Sequence, residues 1–431
     1  MKFQVEAVNV GGEFVQISSE TYNYQNVYTL LVGRNAVGKT RALSKIANAY
    51  IFSDRRENSA HDVAESPRSV SQPSQVIAVS NSRFDRFPKP NPYFTREREL
   101  KGYHYLGLSG FRSSPTSVIS KSIANLISRF EIERDRSVRF DYILDYIGFL
   151  PRVILELKIN SALSSQRNWN SQAYLEDAIR LTESGSKYDF EKEILPAISF
   201  FSNGFKTSRA STVRYDFDTG MWGQDGVGEY MHILPVLIEN GLLKVFRIHL
   251  YDKKTKDRVQ LDHASSGQQC MFLMFLGMSS LIKDGSLICI DEPEISLHPK
   301  WQSEFIEILQ GAFSNYRGCH FIIATHSPQL VSGLTSENGF VADLETSNLL
   351  RPEDYAKKSA DYQLSEVFHE PGYKNEYLIR TLLVILSKIN KGQPLSRLDR
   401  SKLRELEYVR GRLDETDPVL HLLDQVKVMA G

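Results

Sequence analysis

The octapeptide Gly33-Arg34-Asn35-Ala36-Val37-Gly38-Lys39-Thr40 fits G-x-x-x-x-G-K-[ST], a loop that holds phosphate. Its glycines let the backbone curl so that successive N–H groups face phosphate oxygens. Lys39 brings a point charge to a nucleotide's β- and γ-phosphates, and Thr40 a hydroxyl to Mg²⁺. A second candidate set is Leu287-Ile288-Cys289-Ile290-Asp291-Glu292. Four apolar residues form a buried strand that delivers two carboxylates to its C-terminal end, where parallel sheets bind ligands. Asp291 suits the Mg²⁺ shell, and Glu292 suits orienting or deprotonating an attacking water. In the third, Ile322-Ile323-Ala324 runs into Thr325-His326-Ser327-Pro328, which sets His326 to reach a γ-phosphate or that water. The fourth is Ser265-Ser266-Gly267-Gln268-Gln269 before the apolar run Met271 to Leu276. A helix cap needs one small polar residue. Three in a row leave N–H groups open at the positive end of a helix, which makes an anion site. The plainer alternative is a capped core helix.

The elements around these groups follow from pattern. Strands are expected at Phe3 to Val10, Phe14 to Ser18 and Val27 to Val32, and the last feeds the phosphate loop. A helix follows from about Lys39 to Tyr50. Val76 to Val79 and Tyr103 to Leu108 read as further strands. From about Ser117 to Glu239 apolar residues recur at three- and four-residue spacing, so a mainly helical region is expected there. Leu243 to Tyr251 and Arg258 to Leu261 read as a hairpin. Strands at Ser286 to Ile290 and His320 to Ala324 flank a helix from about Trp301 to Phe313. The chain is helical and polar from about Glu353 to its end. This gives an α/β fold in four stretches: 1–116, 117–239 (inserted and helical), 240–350, and a helical tail, 351–431.

The chain has 431 residues, enough for more than one domain or for one large core with an inserted lobe. Lys+Arg and Asp+Glu are equal at 52, so global charge argues for neither nucleic acid nor acidic lipid. Cys270, Cys289 and Cys319 are too far apart for a C-x-x-C pair and sit in apolar surroundings, as reduced core residues do. No window of about 18 apolar residues predicts a membrane span, and the N-terminus lacks a signal-peptide apolar region. A cytoplasmic protein is expected. Residues 81–140 hold twelve Lys/Arg against six Asp/Glu with aromatics interleaved. That is a nucleic-acid face on one reading and a solvated surface on the other.

The order of the four motifs resembles the ATP-binding cassette ATPases, with Ser265-Ser266-Gly267-Gln268 in the place of the signature loop. Ala264 and Ser266 depart from the common leucine and first glycine there. The SSG form, with Ser296-Leu297-His298-Pro299 in the D-loop region, is more similar to the SMC/RecF/OLD branch than to transporters. The resemblance covers roughly 1–110 and 240–345. It implies a P-loop ATPase head with an antiparallel β lobe and a central sheet, using ATP and Mg²⁺. It also implies a homodimer or higher oligomer in which the signature caps the γ-phosphate bound to a second protomer's P-loop. Asn81 or Ser82 stands where the family carries a Q-loop glutamine. Tyr22, Tyr24 and Tyr28 are candidates for stacking on adenine. VIAVSNSRFDRFP and SADYQLSEVFHEPGYKNEYLIR look like the stand-alone PtuA-like ATPases of Septu and retron-associated anti-phage systems. That likeness implies a separately encoded HNH nuclease as partner, a reverse transcriptase with non-coding RNA in the retron case, and no nuclease in this chain. The other class to weigh is a RecF-like DNA-binding repair ATPase.

Overall fold

The chain opens with a hairpin, β1 (Val5–Val10) and β2 (Glu13–Gln16), that turns at Gly11 and Gly12, both at positive φ. β3 (Val27–Val32) is buried along its whole length and runs into the phosphate loop and the helix Lys39–Ile51. β4 (Arg68–Ser69) pairs with β1, closing a three-stranded antiparallel lobe. β5 (Val76–Ser80) and β6 (Tyr103–Gly107) follow. This is a computed structural model, described over residues 3–19, 24–51, 67–82, 84–89, 102–107, 119–120, 122–126, 129, 139–159, 188–207, 211–219, 221–223 and 227–430.

Among its described residues the stretch 117–239 holds more helix than strand, including the helix Leu195–Thr207. It also holds three strands that the periodicity did not indicate, β7 (Phe149–Ile159), β8 (Ser211–Asp216) and β9 (Met221–Gly223). The sequence RFDYILDYIGFL reads as one helix by spacing. Gly148, at φ +93°, instead ends the helix Phe140–Tyr146 and turns the chain into a long strand. Val153 to Lys158 then follows a strand's period of two in part: Leu155 and Leu157 are buried, and Glu156 and Lys158, which alternate with them, are half-exposed. β7 pairs with β10 (Leu243–Asp252), which makes a hairpin with β11 (Arg258–Gln260). These five strands form one antiparallel sheet in the order β11-β10-β7-β8-β9, so it draws on residues either side of position 240.

β12 (Leu287–Asp291), β13 (His320–Ala324), β14 (Gly339–Asp343) and β15 (Leu349–Leu350) complete the central sheet, ordered β15-β14-β3-β13-β12-β5-β6. All its pairings are parallel except β14 with β15. Alternate residues build two cores. Leu31, Cys289 and Ile322 pack against Ala42, Leu43 and Ile46 of the phosphate-loop helix. Leu30, Ile290 and Ile323 face the other way, toward Phe272 of the helix Ser266–Leu281 and Phe305 of the helix Pro299–Ala312. The last helices, Glu376–Asn390, Arg397–Val409 and Pro418–Ala430, share a separate apolar cluster that includes Leu382, Leu406 and Leu423. All three cysteines are buried and unpaired. Among the described residues no helix is long and apolar enough to cross a membrane.

Candidate nucleotide site

Parallel register places the chemistry. Asp291 lies beside Ala324 on one side and Ser80 on the other, and Ala324 lies beside Leu31. The phosphate loop, the Asp291-Glu292 pair and Thr325-His326 therefore leave the sheet at one edge, the C-terminal ends of β3, β12 and β13. Gly33 (φ +132°), Ala36 (φ +66°) and Gly38 (φ +108°) give the loop its curl. A Cβ on Gly38 would meet nothing within 4 Å, so the hollow of the loop is open there. Asn35 and Val37 complete the loop, and Val37 leans on Gly33, 3.0 Å from where a Cβ would stand.

Lys39 is 5% exposed, and its ammonium donates to the carbonyls of Gly33 at 2.7 Å and Arg34 at 3.0 Å. Burial lowers its pKa to about 8, against the pull of Glu292, Glu294, Glu370 and Asp291. The Thr40 hydroxyl donates to the Asp291 carboxylate at 3.0 and 3.3 Å, across 251 positions of sequence. Asp291 is fully buried, and burial raises its pKa to about 7. An open loop, a buried ammonium at its mouth and a hydroxyl–carboxylate pair beside it fit a nucleotide triphosphate with Mg²⁺. Thr40 and Asp291 would hold the metal.

Glu292 sits at φ +51°, a conformation side chains resist, and its N–H donates to Ala324 O at 2.9 Å. Its Oε1 lies 3.8 Å from Nε2 of His326. Burial and then the charge of Lys39 lower the His326 pKa to about 4, so its ring is neutral at physiological pH. Glu294 was not singled out by sequence, yet its Oε1 accepts from the Thr325 hydroxyl at 2.9 Å and the His326 N–H at 2.6 Å. It ties the end of β12 to the end of β13.

Ser265 to Gln268 form a capping box: the Ser265 hydroxyl accepts from Gln268 N–H, and Gln268 Oε1 accepts from Ser265 N–H. The Gln268 amide also donates to Ile147 O at 3.0 Å. Gly267 is small for an internal reason. A Cβ there would stand 2.8 Å from the Trp301 ring and 3.0 Å from Ser296 O. The reading that all three small residues make room for a neighbouring nucleotide is therefore corrected for Gly267. Ser265 and Ser266 are exposed.

Asn81 bridges Pro293 O and Cys270 Sγ, both at 3.1 Å, and Ser82 is taken up in a local turn with Ser80 and Phe84. Two of the three tyrosine candidates for adenine, Tyr28 and Tyr24, are placed away from the phosphate loop or within the core. Tyr28 is 5% exposed and stacked on Phe321, and Tyr24 precedes β3 at the end opposite the phosphate loop. Tyr22 lies outside the described residues, as does much of 81–140.

The family described as "AAA domain, putative AbiEii toxin, Type IV TA system" matches residues 75–332. The chain belongs to this family. Its match begins after the phosphate loop, which β3 brings into the family's sheet beside β13. Among relatives, the "Retron Vc95 probable ATPase" of Vibrio cholerae serotype O1 biovar El Tor is 23% identical over 38% of this chain and 31% of its own length. The "Retron Ec83 probable ATPase" of Escherichia coli is 41% identical over 13% of this chain and 10% of its own. "Protein ea59" of Escherichia phage lambda is 24% identical over 75% of this chain and 50% of its own. The chain thus spans half or less of the length of these relatives. An AAA-family ATPase domain implies nucleotide binding, which the residues at the sheet edge fit.

Proposed function

We propose that this protein binds and hydrolyses ATP as the regulatory subunit of a bacterial anti-phage system, dimerises around ATP, and controls a separately encoded effector nuclease. The observation that carries the ATPase part is the Thr40–Asp291 contact, with Glu292 and His326 3.8 Å apart beside it. Mg²⁺ supplies charge for the β- and γ-phosphates and an ordered water shell. Lys39 exchanges its loop carbonyls for phosphate oxygens. Glu292 takes a proton from the attacking water, and neutral His326 donates or accepts a hydrogen bond at the γ-phosphate edge. The defence role is supported by relatives named as retron ATPases. PtuA-like partnership with an HNH nuclease, and in a retron with a reverse transcriptase and its RNA, is the form we favour. Exposed Ser265 and Ser266 at a helix N-terminus support a signature that acts on a second protomer's γ-phosphate.

The test is a mixing experiment. Ser266→Arg should bind ATP but not hydrolyse it, Lys39→Ala should do neither, and their mixture should regain partial turnover through one composite site. Normal hydrolysis by Ser266→Arg alone would end the signature assignment, and undiminished ATP affinity in folded Lys39→Ala would end the phosphate-loop assignment. Effector control is read by co-purification from the native host: an associated nuclease with ATP-dependent activity supports it.

A second reading, a RecF-like DNA-binding repair ATPase, is favoured by exposed Arg152, Arg214, Lys244 and Arg247 on the five-stranded sheet, with Lys158 3.0 Å over the exposed Phe246 ring. Salt-dependent, ATP-dependent binding to gapped DNA by the purified chain would move the assignment there.

A further inference from the structure

β14 flanks β3 on the side away from β13, and its last residue, Asp343, is in register with Val32, the residue before the phosphate loop. Asp343 is 3% exposed. Its Oδ1 accepts from Glu345 N–H at 2.9 Å and its Oδ2 from the Thr346 hydroxyl, which closes a tight turn. The turn aims Glu345 at Arg34 of the loop. Both Glu345 oxygens engage the guanidinium, Nε to Oε2 at 2.6 Å and a terminal nitrogen to Oε1. Such a two-point grip fixes orientation as well as distance.

The same Asp343 Oδ2 meets Nε2 of His369 at 2.7 Å. His369 lies in the linker between the helices Ala360–Glu366 and Glu376–Asn390, at φ +54°. Val367 and Phe368 just before it are buried in the main core, while the helices after it carry their own apolar cluster. His369 is thus placed where the tail meets the head. The next residue, Glu370, is exposed, and its charge reaches Lys39.

We infer that His369 is a positioning residue for nucleotide binding: through Asp343 and Glu345 it sets Arg34 and the phosphate loop, and the linker 367–371 carries the state of that loop to the tail helices. The inference rests on the nucleotide reading above and adds an intramolecular route from the site to the C-terminal helices. Because coupling is reciprocal, ATP must act on the linker as much as the linker acts on ATP.

The experiment measures Mg·ATP affinity of the full chain for wild type, His369→Ala, His369→Gln, Arg34→Ala and the His369→Ala/Arg34→Ala double variant. Amide exchange over 367–372 is followed with and without ATP. Each alanine variant should weaken binding by about threefold to tenfold, and the double variant should be little worse than the weaker single, as coupled residues behave. His369→Gln, which keeps an N–H donor, should recover most of the loss. ATP should slow exchange in the linker of wild type and not in Arg34→Ala. Multiplicative losses in the double variant, wild-type affinity in a folded His369→Ala, or a linker indifferent to ATP would each overturn the route. If wild type itself fails to bind Mg·ATP, the nucleotide reading falls first and takes this inference with it.

Discussion

At the residue scale the site is built from the ends of buried strands in parallel register. Gly33 to Thr40, Asp291-Glu292 and His326 each end a buried strand, and strand ends in one parallel sheet converge. Glu294, Asp343 and Glu345 are single carboxylates whose meaning comes only from register and from the turn that aims them. The faint signal for Asp343 was that GFVAD ends as LICID does, in an aspartate after apolar residues. Glu294 allows a sharp expectation. Its Oε1 serves two donors, Thr325 Oγ1 and His326 N–H, in a site where burial raises the carboxyl's pKa. Glu294→Ala leaves both donors without that acceptor and should cost about 1–3 kcal/mol of stability. It should also slow ATP turnover at least tenfold by releasing His326. Glu294→Gln keeps the acceptor oxygen and should lose much less. Equal turnover in the alanine and glutamine variants would show that the bridge does not position His326. Glu292→Gln acts on water rather than on binding, so it should retain ATP affinity while hydrolysis falls by at least about tenfold. Wild-type hydrolysis in that variant would place the base elsewhere.

At the element scale, hydrophobic periodicity fixed the helices and strands that lie wholly inside one pattern and failed where two patterns abut. Phe140 to Tyr146 and Phe149 to Ile159 share an apolar continuum, and one glycine decides between helix and strand. The signature helix shows a different limit, since smallness has more than one cause. Gly267 is small because Trp301 and Ser296 press on it, Ser265 because it caps, and only Ser266 is left facing solvent without a contact that demands its size. The two kinds of smallness separate by substitution. Gly267→Ala should lower the melting temperature, with overpacking worth about 1–3 kcal/mol. Ser266→Arg should melt near wild type while losing hydrolysis. A large loss of stability from Ser266→Arg would return that residue to the core of the helix cap.

At the scale of the whole molecule, one buried histidine joins the antiparallel lobe to the central sheet. His320 opens β13 and is fully buried. Its Nδ1 accepts from Val5 N–H of β1 at 3.0 Å, which leaves Nε2 to donate to the Thr29 hydroxyl of β3 at 2.9 Å. Thr29 in turn donates to Ile17 O at 2.8 Å. Only the neutral ring with its proton on Nε2 satisfies this chain, and burial lowers the His320 pKa to about 3. The unfolded chain, with an ordinary histidine pKa near 6.5, binds a proton that the folded one refuses. The contribution of His320 to stability is therefore complete above about pH 6.5 and is lost as pH falls toward 3, by about 2 kcal/mol at pH 5. His326, lowered for a similar reason, loses stability in the same window, so wild type alone cannot isolate the effect. His320→Asn can, because its amide oxygen still accepts from Val5 and does not titrate. It should start less stable at pH 7.5, having lost ring volume and the Thr29 contact. Its urea stability should then decline less than wild type between pH 7.5 and 5, by about 2 kcal/mol. Parallel declines for the two proteins would mean that His320 does not hold the lobe to the sheet as a neutral ring.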